Sequence, residues 1–143
     1  MEDQFNSIWA TKLMRDELIA NTVAKWIAAA ATKDVAGLIA LLDEGVEFSP
    51  PFVEQSFRGP NNMLKVLGVF TNATQNFRYV RNWVSTEGAI LEFKADIGSS
   101  IVHGLDLLEI DNSGKITKFE VMARPFTAIS LLRQAYLESD ATP

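Results

Sequence analysis

The sequence contains no cysteine and one histidine, His103, among its 143 residues. The first absence excludes a disulfide framework, thiolate catalysis and any cysteine-held zinc or iron–sulfur centre. The second leaves a metal site to carboxylates alone, and no HExxH spacing exists. Asp111-Asn112-Ser113-Gly114 has its glycine too early for a calcium loop and reads as a turn. The chain also lacks a GxSxG elbow, a glycine-rich phosphate loop and a dinucleotide fingerprint, so neither metal nor cofactor is expected. Positive charge is in deficit: 13 Lys and Arg stand against 18 Asp and Glu, for a formal charge of −5. That is the opposite of a nucleic-acid binder's footprint. No apolar run approaches the roughly 18–20 residues of a membrane span. The start, Met1-Glu2-Asp3-Gln4, has no basic region ahead of an apolar segment, so no secretory signal is visible. Neither nucleic acid nor a membrane is expected as a partner, and the cytoplasm is the expected compartment.

What is present reads as one packed domain, with 48% hydrophobic and 22% charged residues. Over 16–31, Ile19, Val23, Trp26, Ile27 and Ala30 recur at spacings of three and four, which predicts an amphipathic helix. Phe5, Ile8, Trp9 and Leu13 continue the spacing backwards, so residues 1–15 are read as a helical extension that packs on the domain or on a partner. A short second helix follows, with Val35, Leu38, Ile39 and Leu42 on its inner face. Residues 46–49 and 52–58 read as short strands on either side of Pro50-Pro51. Gly59-Pro60 opens a third helix that buries Met63, Leu64, Leu67 and Phe70.

After Thr74 the period changes from 3.6 to 2, and strands are predicted over 75–85, 88–97, 101–111 and 115–124. A last helix carries Phe126, Ile129, Leu132 and Tyr136. Three N-terminal helices, a meander of long strands and a C-terminal helix define an α+β layer, a curved, mostly antiparallel sheet wrapped over helices.

Strand alternation singles out one acid. Leu91, Phe93 and Ala95 share an apolar face, as do Phe119, Val121 and Ala123. A two-residue loop at Ser99-Ser100 sets Phe93 opposite Asp106, and one at Ser113-Gly114 sets Asp106 opposite Val121. Asp106 then points inward among Phe, Val and Leu, where burial raises a carboxyl pKa. A bulged three-residue loop reverses the parity and turns His103 inward instead. The other reading of Asp106 is structural, paired with a buried hydroxyl, an amide or Arg124.

Trp26, Asp34, the strand Val46-Glu47-Phe48-Ser49-Pro50, Gly59 at a helix start, and Gly104-Leu105-Asp106 ahead of Asp111-Asn112-Ser113-Gly114-Lys115-Ile116 occur in an order that resembles the nuclear transport factor 2-like superfamily. The likeness is to its SnoaL-like and ketosteroid-isomerase-like branches and covers residues 16–143. It implies a cystatin-like cone whose helices close one side of the sheet and leave an apolar pocket for a small hydrophobic molecule. It also implies a pocket acid at Asp106, and a wall drawn from Trp26, Ser49, Phe52, Phe57, Phe93, Leu108, Phe119 and Val121.

Departures from the resemblance restrict the chemistry. The isomerases' proton-shuttling carboxylate, just before the proline of the first strand, is Ser49 here, and their helix tyrosine is Trp26. The epoxide hydrolases' Asp-Arg-Asp set falls on Phe93, Ala95 and Val121. Ketosteroid isomerisation and epoxide hydrolysis by those routes are therefore not expected. What remains is an isomerase, cyclase or lyase with Asp106 as acid or hydrogen-bond donor, a non-catalytic binding protein, or a dimeric interaction module. Ile101, Leu105, Leu107 and Met122 on the outer sheet face, mixed with charge, lead to the expectation of a sheet-to-sheet homodimer.

Overall fold

The computed structural model describes residues 2–142. Helix α1 (Glu2–Thr32) runs unbroken through the expected extension and into the domain. Its inner stripe begins at Ile19 and continues with Thr22, Val23, Trp26 and Ala29, all buried. Before that stripe Ile8, Leu13 and Met14 are 59–71% exposed. The side chain of Phe5, placed in the same extension, lies outside the described residues. Arg15 marks where helix meets sheet: its Nε donates to the Thr86 carbonyl at 2.9 Å, its Nη1 to Asp111 at 2.8 Å and its Nη2 to Ile110.

Lys33 adopts a left-handed φ of 54° and ends α1. Asp34 then caps α2 (Val35–Leu41), accepting from the Gly37 N–H at 3.0 Å. The predicted inner face of α2 is corrected. Val35 and Ile39 are exposed, and Leu42 leaves the helix to open β1 (Leu42–Ser49), pairing with Ile116. Two turns of helix are too few to hold a residue whose backbone has a strand partner.

The second predicted strand shrinks to β2 (Phe57–Arg58), paired with Glu47 and Phe48. Prolines 50 and 51 bring no N–H to a ladder, and Phe52 turns under the C-terminal helix instead, 5.3 Å from the Tyr136 ring. Helix α3 (Pro60–Ala73) starts after Gly59, whose φ is 86°.

Strands β3 (Gln75–Val84), β4 (Gly88–Ile97), β5 (Ser100–Ile110) and β6 (Ile116–Arg124) form the expected meander, and α4 (Phe126–Leu137) closes the chain. The sheet order is β2-β1-β6-β5-β4-β3, antiparallel except for the parallel β1–β6 pair. This is the cystatin-like α+β architecture, four helices against a curved six-stranded sheet. No described helix is long and apolar enough to cross a membrane.

One register differs from expectation. The β4–β5 turn is Gly98-Ser99, not Ser99-Ser100, because Gly98 supplies the left-handed φ of 56°. Asp106 therefore faces Leu91 rather than Phe93, while its pairing with Val121 is as read. The shift is two residues, so the face is unchanged.

Candidate functional site

A cavity of about 770 Å³ lies between the inner face of the sheet and helices α1, α3 and α4. Its walls are aromatic. Trp26 lies 5.3 Å from Phe119, and Phe70, Phe77 and Phe93 meet at centroid distances of 5.5–5.7 Å. Helix α3 contributes two stripes: Met63, Val66 and Val69 are buried, whereas Leu64, Leu67 and Phe70 are half-buried along the cavity. Gly104 on β5 leaves room for one wall residue. A Cβ there would stand 2.5 Å from the Phe93 ring and 2.7 Å from the Met122 carbonyl.

Asp106 is the one carboxylate among the lining residues and is 4% exposed. The Tyr79 hydroxyl donates to its Oδ2 at 2.8 Å, and the Trp26 Nε1–H donates to the Tyr79 oxygen at 3.0 Å. An indole N–H only donates, so it takes up the Tyr79 lone pair and leaves the phenolic hydrogen for Asp106. Oδ1 has no protein partner among the described residues and faces the cavity.

Burial pushes the Asp106 carboxyl up to about 7, against a smaller lowering by the Tyr79 hydrogen bond. The Tyr79 hydroxyl is also raised well above its usual range, first by burial and then by the neighbouring carboxylate. The pair therefore approaches neutral pH with Asp106 still partly protonated and Tyr79 with no proton to lose.

Of the expected wall, Trp26, Phe52, Phe93, Phe119 and Val121 line the cavity with Asp106. Three residues do not. Ser49 alternates with the inward Phe48, so it sits on the far face opposite Glu120 and shares a hydrogen bond with Ser56 at 3.0 Å. Phe57 lies on β2, edge-on to Tyr136 at 6.2 Å. Leu108 is packed in the core two residues beyond Asp106, between Ala89 and Phe119.

The parity that turns Asp106 inward turns His103 outward. There its Nε2 lies 2.6 Å from Glu92 Oε2, and Arg81 holds the other carboxylate oxygen. Arg81 first and His103 second hold the Glu92 carboxyl down, to about 2. Arg124 is exposed on the same outer face, opposite His103 and away from Asp106.

Sequence reasoning found the acid but missed its partner. Periodicity does not single out Tyr79, because a bulge between Tyr79 and Arg81 interrupts the alternation of β3. Its hydroxyl reaches past Phe93 on β4 to the third strand, a contact no single hairpin register exposes. Lys33, at the rim, was likewise not singled out.

Comparison with known proteins agrees with this architecture. No family model and no curated protein matches the chain. Among solved structures, an uncharacterised bacterial protein with a cystatin-like fold from Silicibacter pomeroyi is 32% identical, with a TM-score of 0.76 over 84% of this chain and 87% of its own. A steroid delta-isomerase from Pseudomonas aeruginosa is 29% identical, with a TM-score of 0.76 over 82% and 88%. An NTF2-like protein of unknown function from Burkholderia xenovorans shares the fold at 18% identity, with a TM-score of 0.68 over 79% and 88%. The chain belongs with the bacterial cystatin-like fold proteins that the Silicibacter protein represents, and NTF2-like proteins and a steroid delta-isomerase are among its structural neighbours.

Proposed function

We propose that the cavity binds a small, ring-bearing hydrophobic molecule through one oxygen, and that neutral Asp106 donates the hydrogen bond to that oxygen. The observation that carries this reading is an acid at the end of an aromatic cavity with one oxygen held by Tyr79 and the other open. A donor aimed at a carbonyl stabilises the negative charge that develops there on enolisation, as a protonated aspartate does in ketosteroid isomerases. The reaction classes this serves are isomerisation, cyclisation and elimination beside a carbonyl. A Pseudomonas neighbour is a steroid delta-isomerase. In this chain, however, Ser49 replaces the expected proton-shuttling carboxylate and its hydroxyl bonds Ser56 outside the cavity. The proton at carbon must therefore go to the substrate's own groups or to water. Without such a route the site remains one of binding.

The test is calorimetric titration of tetralone, a flat bicyclic ketone, into wild type and Asp106→Leu, which fills the same volume with no donor, at pH 6, with proton NMR following deuterium exchange beside the ketone. A tenfold loss of affinity in the variant, about 1.4 kcal/mol, is expected. Equal affinity in both proteins refutes the role of Asp106. Exchange above the buffer rate marks an enzyme, and binding without exchange marks a carrier.

We also propose that the outer sheet face seats a second copy of the chain. Trp83, Ile101 and Met122 are 48–54% exposed there. The face is polar end to end. Arg78, Lys94 and Arg124 gather with His103 and Asp96 at one end of the strands, and Glu109 and Glu120 gather with Lys118 at the other. A two-fold axis lying in the interface across the strands sets each end over its opposite, so the face complements itself.

A further inference from the structure

The cavity has two chemically different ends. Asp106 is buried at one, and the exposed lining residues define the other, a rim between the α1–α2 junction and the α3–β3 junction. Thr71, Asn72, Gln75 and Asn76 are neutral rim residues, and Lys33 is the one cation of the whole lining. In a chain of formal charge −5 the lining holds no carboxylate besides Asp106, and the nearby Asp96, which accepts from the Asn76 amide at 2.8 Å, is paired with Arg78 at 3.9 Å.

Lys33 is also not engaged elsewhere. Among the described residues its ammonium has no ion pair, and the adjacent Asp34 turns its Oδ1 to the Gly37 N–H. The left-handed backbone at Lys33 ends α1, and the residue is among those that line the cavity. Between the two ends the wall is apolar and aromatic, and it offers a second anionic group nowhere to bind.

Resting on the reading that the cavity holds a ring-bearing ligand, we infer that its ligand is a flat keto acid. The ketone or enol oxygen accepts from Asp106 at the buried end, and a carboxylate at the far end of the ring system pairs with Lys33 at the rim. The direction of the Trp26–Tyr79–Asp106 chain favours an accepting oxygen inside, because Tyr79 already donates to Oδ2 and leaves Oδ1 to carry the proton. The rim charge selects the other end. Lys33 is thus a specificity-determining residue, and it takes no part in proton transfer.

The test compares three probes in calorimetric titrations at pH 6 and low salt: a tetralone carboxylic acid with its two groups at opposite ends, the methyl ester of that acid, and plain tetralone. An ion pair at a solvent-exposed rim is worth up to about 1 kcal/mol, so the acid should bind about fivefold more tightly than the ester. That preference should disappear in Lys33→Gln, return in Lys33→Arg and shrink as salt is added. Equal binding of acid and ester by wild type, or a preference that persists in Lys33→Gln, overturns the assignment of Lys33 and leaves the hydrophobic-pocket reading standing. Failure of all three probes to bind wild type overturns both.

Discussion

Asp106 costs the fold stability at the pH where it is proposed to work. Its carboxyl is raised from 3.8 to about 7, so the folded chain holds this proton to higher pH than the unfolded chain does. The contribution of this group to stability is accordingly complete below about pH 4 and declines as pH rises to about 7, by at most about 4 kcal/mol. Asp106→Asn removes the ionisation and should melt at a higher temperature than wild type at pH 8, with the gain absent at pH 4. A gain of equal size at both pH values would show that the carboxyl is not shifted. The inward position of Asp106 was legible because alternation depends only on parity, which survived a two-residue error at the Gly98 turn. The hydrogen bond from Tyr79 was not legible, because it depends on a bulge in β3 and on the reach of a ring across β4. Ser49 was misplaced for a related reason: its neighbour Phe48 has the stronger claim on the inner face, packed 5.7 Å from Phe119.

Among the elements, the long strands were readable and the short pieces around α2 and β2 were not. Ten-residue alternation fixes a strand within a residue or two, whereas Leu42 and Phe52 go where distant partners hold them, Ile116 and Tyr136 respectively. Arg15 is a junction of the same long-range kind. It ties α1 to carbonyls in both the β3–β4 and β5–β6 connections. Hydrogen bonds to a charged donor are worth about 1.5–3 kcal/mol each at most, and three share one side chain that stays partly solvated. Arg15→Ala should lower stability by about 2 kcal/mol and speed amide exchange in α1 near Ile19. Unchanged exchange there would mean that the stripe from Ile19 inward holds the helix without the arginine.

At the scale of the molecule, the fold was legible because helices, meander and closing helix follow one another in the chain as they do in space. The outer face was legible as a mixture of apolar and charged residues, but not the division of its charge between the two ends, which requires the register of four strands. Sedimentation equilibrium at micromolar protein should give the mass of a dimer, and Met122→Glu should reduce it towards a monomer. A monomeric mass for wild type refutes the proposed second copy. The parallel pairing of β1 with β6 has a separate consequence. It stitches residues 42–49 to residues 116–124, and the cavity takes its wall from Trp26 at one extreme of the chain to Leu132 at the other. No contiguous fragment short of that stretch holds even a rudimentary version of the site. A truncation that reaches Trp26 or Leu132, a graft of the meander alone or a split at the β2–α3 turn would each remove a wall, so the cavity exists only when residues 26–132 have closed.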